Sequence, residues 1–177
     1  MKKTRIITAC LTALAGFAIL FSAPNAGAQE KKITAKDLPA AVWTAFQKAY
    51  PRAEIRGVSE EKGEDGKMEY EIESVEGKTG RDVAYRADGK VIEIEETCVL
   101  PDAVRKALDL KYPKGKIEKS EKITRGAKVE YEAVVEVGEV KNEVVLDQTG
   151  KILKAENMTE DEEKGGTEKE SGEKNEK

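Results

Sequence analysis

Two segments of the chain are written in nearly the same words. Leu38-Pro39-Ala40-Ala41-Val42 aligns with Leu100-Pro101-Asp102-Ala103-Val104, and Ala45-Phe46-Gln47-Lys48-Ala49-Tyr50-Pro51 with Ala107-Leu108-Asp109-Leu110-Lys111-Tyr112-Pro113. Downstream, Glu69-Tyr70-Glu71 aligns with Glu130-Tyr131-Glu132, and Asp88-Gly89-Lys90-Val91-Ile92 with Thr149-Gly150-Lys151-Ile152-Leu153. The offset falls from 62 to 61 residues between helix and strands, which one loop deletion explains. A repeat of this period points to two like units in contact, because a unit of about 60 residues buries a small share of its surface and is marginal alone.

Each copy opens on a helix. Pro39 suits the first turn, with Thr34 or Asp37 as the cap for the free amides. Val42, Phe46 and Ala49, with Trp43 and Tyr50 beside them, recur at three- and four-residue spacing and make one apolar stripe. Pro51 ends the helix by pushing Tyr50 out of helical geometry. Pro101, Val104, Leu108, Tyr112 and Pro113 repeat the device.

The stretches that follow alternate with period two. Met68, Tyr70 and Ile72 alternate with Glu69, Glu71 and Glu73; Val129, Tyr131, Ala133 and Val135 alternate with Glu130, Glu132, Val134 and Glu136. Alternation predicts a sheet with the apolar set buried and the carboxylates facing water. Asp65-Gly66, Gly77, Gly80 and Asp88-Gly89 mark turns in the first copy, and Gly126, Gly138 and Asp147-Gln148-Thr149-Gly150 in the second. Short links make the strands antiparallel. The expected class is α+β: two tandem units, over residues 33–96 and 97–156, each one helix packed on a four-stranded antiparallel sheet. The link Glu95-Glu96-Thr97-Cys98-Val99 is short, so the units should touch, with Cys98 and Val99 near the contact.

The two ends read differently. Lys2, Lys3 and Arg5, the apolar run Ile6 to Phe21 and the small residues Ala26-Gly27-Ala28 form a secretory signal peptide over residues 1–28. The run is shorter than a membrane span and contains Thr8, Thr12 and Gly16. Ile7-Thr8-Ala9-Cys10 has the look of a lipidation box, but too few apolar residues precede its cysteine. Cleavage removes three positive charges and takes the net charge from −4 to about −7. It leaves Cys98 as a lone thiol, expected buried, or else paired with another molecule. From 157 to 177 Met158 is the last apolar residue and Glu, Lys, Gly, Ser and Thr fill most of the rest, which predicts a disordered charged tail. The expected location is periplasmic or secreted, with no stable membrane insertion after cleavage.

The order Leu-Pro-x-x-Val, Tyr-Pro, a strand, Tyr-Glu in a second strand, then Asp/Thr-Gly-Lys with apolar residues after it, resembles the PepSY-like, β-lactamase-inhibitor-like domains. The resemblance covers residues 36–156 in two copies. It implies tandem helix-plus-sheet units whose open sheet faces form a concave protein-binding surface, with inhibitory or chaperone-like roles. It implies no catalytic motif and no cofactor.

The chemistry agrees with that direction. The chain has no histidine, which removes the commonest general base and the commonest nitrogen ligand. Hydrolases of the Ser-His-Asp or Cys-His type are excluded. One cysteine cannot build a zinc site. Gly63-Glu64-Asp65-Gly66-Lys67 lacks phosphate-loop spacing and reads as a hairpin turn. An acidic chain with no basic stripe is a poor partner for nucleic acid. No Asp-x-Asp-x-Asp-Gly loop offers a calcium cage. What remains is an acidic strand surface: Glu69, Glu71 and Glu73, with Glu130 and Glu132, joined by Glu93 and Glu95 if their strand shares the register. Such a face is either the ordinary wet side of a sheet or a contact for a partner. Trp43 is a further contact candidate, because Arg105 holds its place in the second copy and puts it at the margin of the helix face. The chain therefore reads as an exported non-enzymatic binding protein, with no catalytic, cofactor or metal residues. Its expected partner is a protein, either an exported enzyme that it inhibits or modulates or a sensor domain. The alternative is an envelope sensor or buffer for cations or small molecules on the acidic strands.

Overall fold

The structure, a computed structural model, describes residues 30–63 and 65–158; the leader expected at 1–28 and residues 159–177 of the expected tail lie outside the described residues. Helix α1 (Ala40–Ala49) starts directly after Pro39 and ends at Tyr50, whose amide still donates to the Phe46 carbonyl at 2.8 Å. Tyr50 has left helical geometry at φ −131°, as a residue before proline should. Helix α2 (Asp102–Lys111) repeats this between Pro101 and Tyr112. Neither helix has a side-chain cap. Asp37, expected as a cap, instead accepts from the Thr34 amide at 2.9 Å and the Thr34 hydroxyl at 2.7 Å, closing a turn of its own.

The strands are β1 (Lys31–Lys32), β2 (Glu54–Lys62), β3 (Met68–Glu76), β4 (Thr79–Arg86), β5 (Val91–Thr97), β6 (Lys116–Arg125), β7 (Lys128–Val137), β8 (Val140–Asp147) and β9 (Ile152–Asn157). They form one sheet in the order β1 to β9, each strand antiparallel to the next. This corrects the expectation of two separate units, each a helix on a four-stranded sheet. The molecule is mostly β, a single nine-stranded antiparallel sheet carrying two ten-residue helices. The physical reason is edge pairing. Ile94, Glu95, Glu96 and Thr97 of β5 pair with Thr124, Ile123, Lys122 and Glu121 of β6. Left apart, those two edges would each present a row of unpaired amides and carbonyls. Period-two alternation looks the same in an edge strand and a central one, so the sequence pattern carries no sign of this join.

Both helices lie on one face of the sheet. Leu38, Val42 and Phe46 pack on Val58, Ile72, Val83 and Tyr85. Val104 and Leu108 pack on Ala133, Val135, Val144 and Leu146. The ladder carries Ile72 to Val83, Val83 to Ile94 and Ile94 to Thr124, so both clusters belong to the same side. Each buried Val, Leu, Ile or Phe among these contributes about 1.5–3 kcal/mol of hydrophobic stabilisation. Between the clusters Arg81 lies over the Tyr50 ring at 4.0 Å and pairs with Glu96 at 2.7 Å; Glu96 also pairs with Lys122 at 3.1 Å. Gly89 and Gly150 show why their motif appears twice. Each sits at positive φ, +82° and +84°, in a turn pressed against the start of a helix. A Cβ on Gly89 would lie 2.6 Å from the Ala41 carbonyl oxygen, and one on Gly150 would strike the Ala103 carbonyl. Cys98 is half-buried rather than buried; it bonds to β6 through its amide and through the Ser120 hydroxyl. Val99, expected near a contact, is 95% exposed.

Candidate functional site

The face turned away from the helices follows from the register. Glu73 stands opposite Asp82, and Asp82 opposite Glu95, so three carboxylates cross β3, β4 and β5 in one row. One step along, Ala84 separates Glu71 from Glu93. Beyond β5, Thr97 stands beside Glu121, Glu121 beside Glu132, and Ile123 beside Glu130. Glu69, Glu71, Glu73, Glu130 and Glu132 therefore share one surface, and Glu93 and Glu95 share it too. Trp43 does not: it is half-buried on α1 and packs against the first apolar cluster, on the opposite side. Asp82, Glu121 and Lys119 were missed from the sequence. The signal was present for Asp82, since Asp82 and Ala84 alternate with Arg81, Val83 and Tyr85, but the short charged start of β4 hid it.

The expectation that these carboxylates face water needs correction at Glu69, Glu93, Glu95 and Glu130, while Glu71, Glu73 and Glu132 are half-buried. Glu69, Asp82, Glu93, Glu95, Glu121, Glu130 and Glu143 are between 3% and 6% exposed. Among the described residues no helix or strand packs over this face. Periodicity states which face a residue takes and is silent on depth. Gly57 leaves room for Glu73 by having no side chain: a Cβ there would sit 2.9 Å from the Glu73 carboxyl carbon.

The face divides into paired and unsatisfied acids. Lys119 pairs with Glu121 at 2.9 Å, Arg86 with Glu69 at 3.3 Å, and Lys128 with Glu130 at 2.7 Å. Arg125 joins Glu93 and, at 3.2 Å, Glu130. At the centre, Oδ1 of Asp82 and Oε1 of Glu95 have no hydrogen-bond donor among the described residues. Burial, followed by the Glu73 and Glu121 charges, pushes Asp82 up to about 8 against the pull of Lys119. Burial and the neighbouring Asp82, Glu30 and Glu73 carboxylates push Glu71 up to about 9. Glu132 rises to about 7 through burial and the nearby Glu143 and Glu121. Glu95 is held well above the usual carboxylate range by burial first, then by Glu121, Glu132 and Asp82. Lys119 is raised: burial works against its charge, and Glu121, Glu132 and Glu95 outweigh it.

This arrangement can hold positive charge along a line of strands. Among the described residues no three His, Cys, Asp or Glu side chains are grouped to hold a metal ion. Two surface depressions lie elsewhere: one of ≈ 680 Å³ beside Met68, Arg86 and Asp88, and one of ≈ 520 Å³ beside Lys31, Asp37 and Glu60. Neither gathers a nucleophile with a base.

Residues 26–93 and 74–154 each match the family model described as "Putative beta-lactamase-inhibitor-like, PepSY-like". No curated protein matches the sequence. Among solved structures, a protein from Bacteroides eggerthii DSM 20697, described as one of the "putative periplasmic proteins", is 18% identical with a TM-score of 0.59, covering 70% of this chain and 91% of its own. A DUF2874 family protein from Bacteroides uniformis ATCC 8492 is 20% identical with a TM-score of 0.56, covering 67% and 88%. A BLIP-like protein from Bacteroides fragilis NCTC 9343 is 20% identical with a TM-score of 0.55, covering 69% and 87%. These likenesses extend to the fold.

Proposed function

The chain belongs to the PepSY-like, beta-lactamase-inhibitor-like family, and from that premise we propose that it is an exported, non-enzymatic binding protein that holds a protein partner against the acidic face of its sheet. The observation that carries this reading is a broad row of carboxylates on the face of the nine-stranded sheet turned away from both helices. A surface held this way binds without first ordering its own backbone, which lowers the entropic cost of association. Export is supported by the leader pattern at residues 1–28 and by relatives in fold described as periplasmic. No helix among the described residues is long and apolar enough to cross a membrane. An inhibitor or modulator of an exported enzyme is the concrete form of this function: the sheet face would cover the enzyme's surface and contribute no reacting group.

The test is capture from an exported fraction with three immobilised proteins: the wild type, Glu71→Lys/Glu132→Lys, and Trp43→Ala. The expected result is a partner retained by the wild type and by Trp43→Ala, and lost from the double lysine variant. Equal retention by all three, or no retained protein, overturns the reading.

A further inference from the structure

We propose that the row through Asp82 and Glu95 is the docking line for an extended protein segment rich in arginine or lysine, lying across the strands from β3 to β7. The inference rests on the protein-binding reading above and assigns the chemistry of the partner.

The first observation is the charge. Glu73, Asp82 and Glu95 follow one another across three neighbouring strands; the same row passes Ile123 on β6 and reaches Glu130 on β7, with Glu121 and Glu132 one row along on the same face. The second is independent of the first. Asp82 and Glu95 are each 5% exposed, yet one oxygen of each has no donor from the described chain. Lys119, whose charge acts on both Asp82 and Glu95, is committed to Glu121 at 2.9 Å. A sheet face that only has to stay wet needs polar residues and gains nothing from burying unsatisfied carboxylates, which costs stability. A guanidinium or ammonium arriving from a partner supplies the donors these oxygens lack and favours the charged form of both acids. The span fits a short peptide: β3 to β7 is four strand spacings, about 19 Å, and an extended chain covers that with about six residues. Alternate side chains of such a segment point to one side, so three cations reach the face. Carboxylates strung along strands do not make the compact oxygen cage that a divalent ion requires, and they repel phosphate backbones.

The raised affinity of these carboxyls for protons adds a measurable signature. Asp82 and Glu71 keep their protons near neutral pH in the free protein. A bound cation favours the charged form of an acid beside it, so docking drives protons off the face.

The experiment titrates the full secreted chain near pH 7 with a six-residue peptide alternating arginine and serine, followed by calorimetry in two buffers of different ionisation enthalpy. The expected result is binding that weakens in salt, with a heat that depends on the buffer. Asp82→Asn/Glu95→Gln, which keeps side-chain shape, should weaken binding at least tenfold and remove most of the buffer dependence; its thermal melt verifies folding. A glutamate-serine peptide should not bind, and spermidine should bind far more weakly. Absence of arginine-peptide binding, equal binding by the folded Asn/Gln variant, or equal binding of spermidine overturns the proposal. Should the arginine peptide fail while capture remains sensitive to Glu71→Lys/Glu132→Lys, only the cationic assignment falls and the protein-binding reading stands.

Discussion

Asp82 and Glu95 each carry one carboxyl oxygen that no donor among the described residues reaches. Both are acids on a face without a covering element, and both are nearly buried. Their protonation links to folding with a definite sign. A carboxyl whose folded value lies above its unfolded one binds more protons in the native state, so it favours folding at low pH and opposes it as pH rises. For Asp82, raised from 3.8 to about 8, and Glu71, raised from 4.5 to about 9, the window runs from about pH 4 to about pH 9. Urea denaturation should therefore show lower stability near pH 9 than near pH 6, with Asp82→Asn flattening that slope. Stability that is level or rises across the window would contradict the assignment. Asp65 and Asp147, held below the usual range by hydrogen bonds at their turns, work in the opposite sense and lose their contribution as pH falls through their folded values. The spacing of Glu69, Glu71 and Glu73 placed them on a common face, but nothing in a period of two distinguishes half-buried Glu71 from Glu69 at 6% exposure. Depth depends on what stands on neighbouring strands, and that is fixed only by register.

At the scale of elements, helices and turns were legible because proline and glycine act locally. Pro39, Pro51, Pro101 and Pro113 bracket both helices, and each apolar stripe faces its cluster. The repeated Gly-Lys turn has a local reason as well: Gly89 and Gly150 combine a left-handed backbone with a close approach to a helix carbonyl. Replacing either by alanine meets both obstacles, and the conformational part alone costs about 1–2 kcal/mol. Gly89→Ala and Gly150→Ala should each lower the denaturation midpoint by more than that, while Gly77→Ala, at positive φ with open space around it, loses only the conformational part. Equal losses at all three sites would show that the helix contact is unimportant. What could not be read locally was β1, because Lys31 and Lys32 carry no alternation, and the pairing of β5 with β6, because it joins residues on either side of a whole helix.

The whole molecule inherits a direction from that pairing. In the repeat, β6 answers to β2 and β9 to β5; the register shifts agree, at Ile55/Gly57 and Ile117/Lys119 and again at Ala84/Tyr85 and Val145/Leu146. The central seam therefore joins the last strand of one copy to the first full strand of the next, a head-to-tail contact that by itself never closes. β9 ends the described sheet with its outer edge unpaired by any described strand, ready in principle to receive a β2 from another molecule. β2 is not offered. The two residues of β1 lie along its Ser59 and Glu60, Lys31 reaches Glu60 at 2.8 Å, and the Ile33 amide takes the Val58 carbonyl. So short a strand adds little to the core, but it occupies Ser59 and Glu60 on the outer edge of β2. Removing residues 30–33 should convert a well-behaved particle into one whose sedimentation coefficient climbs with concentration; an unchanged coefficient would show that the open end is guarded by something else. The same join that lets two small copies stabilise each other would build a fibre if it were repeated, and two lysines stand at the margin where the repetition would start.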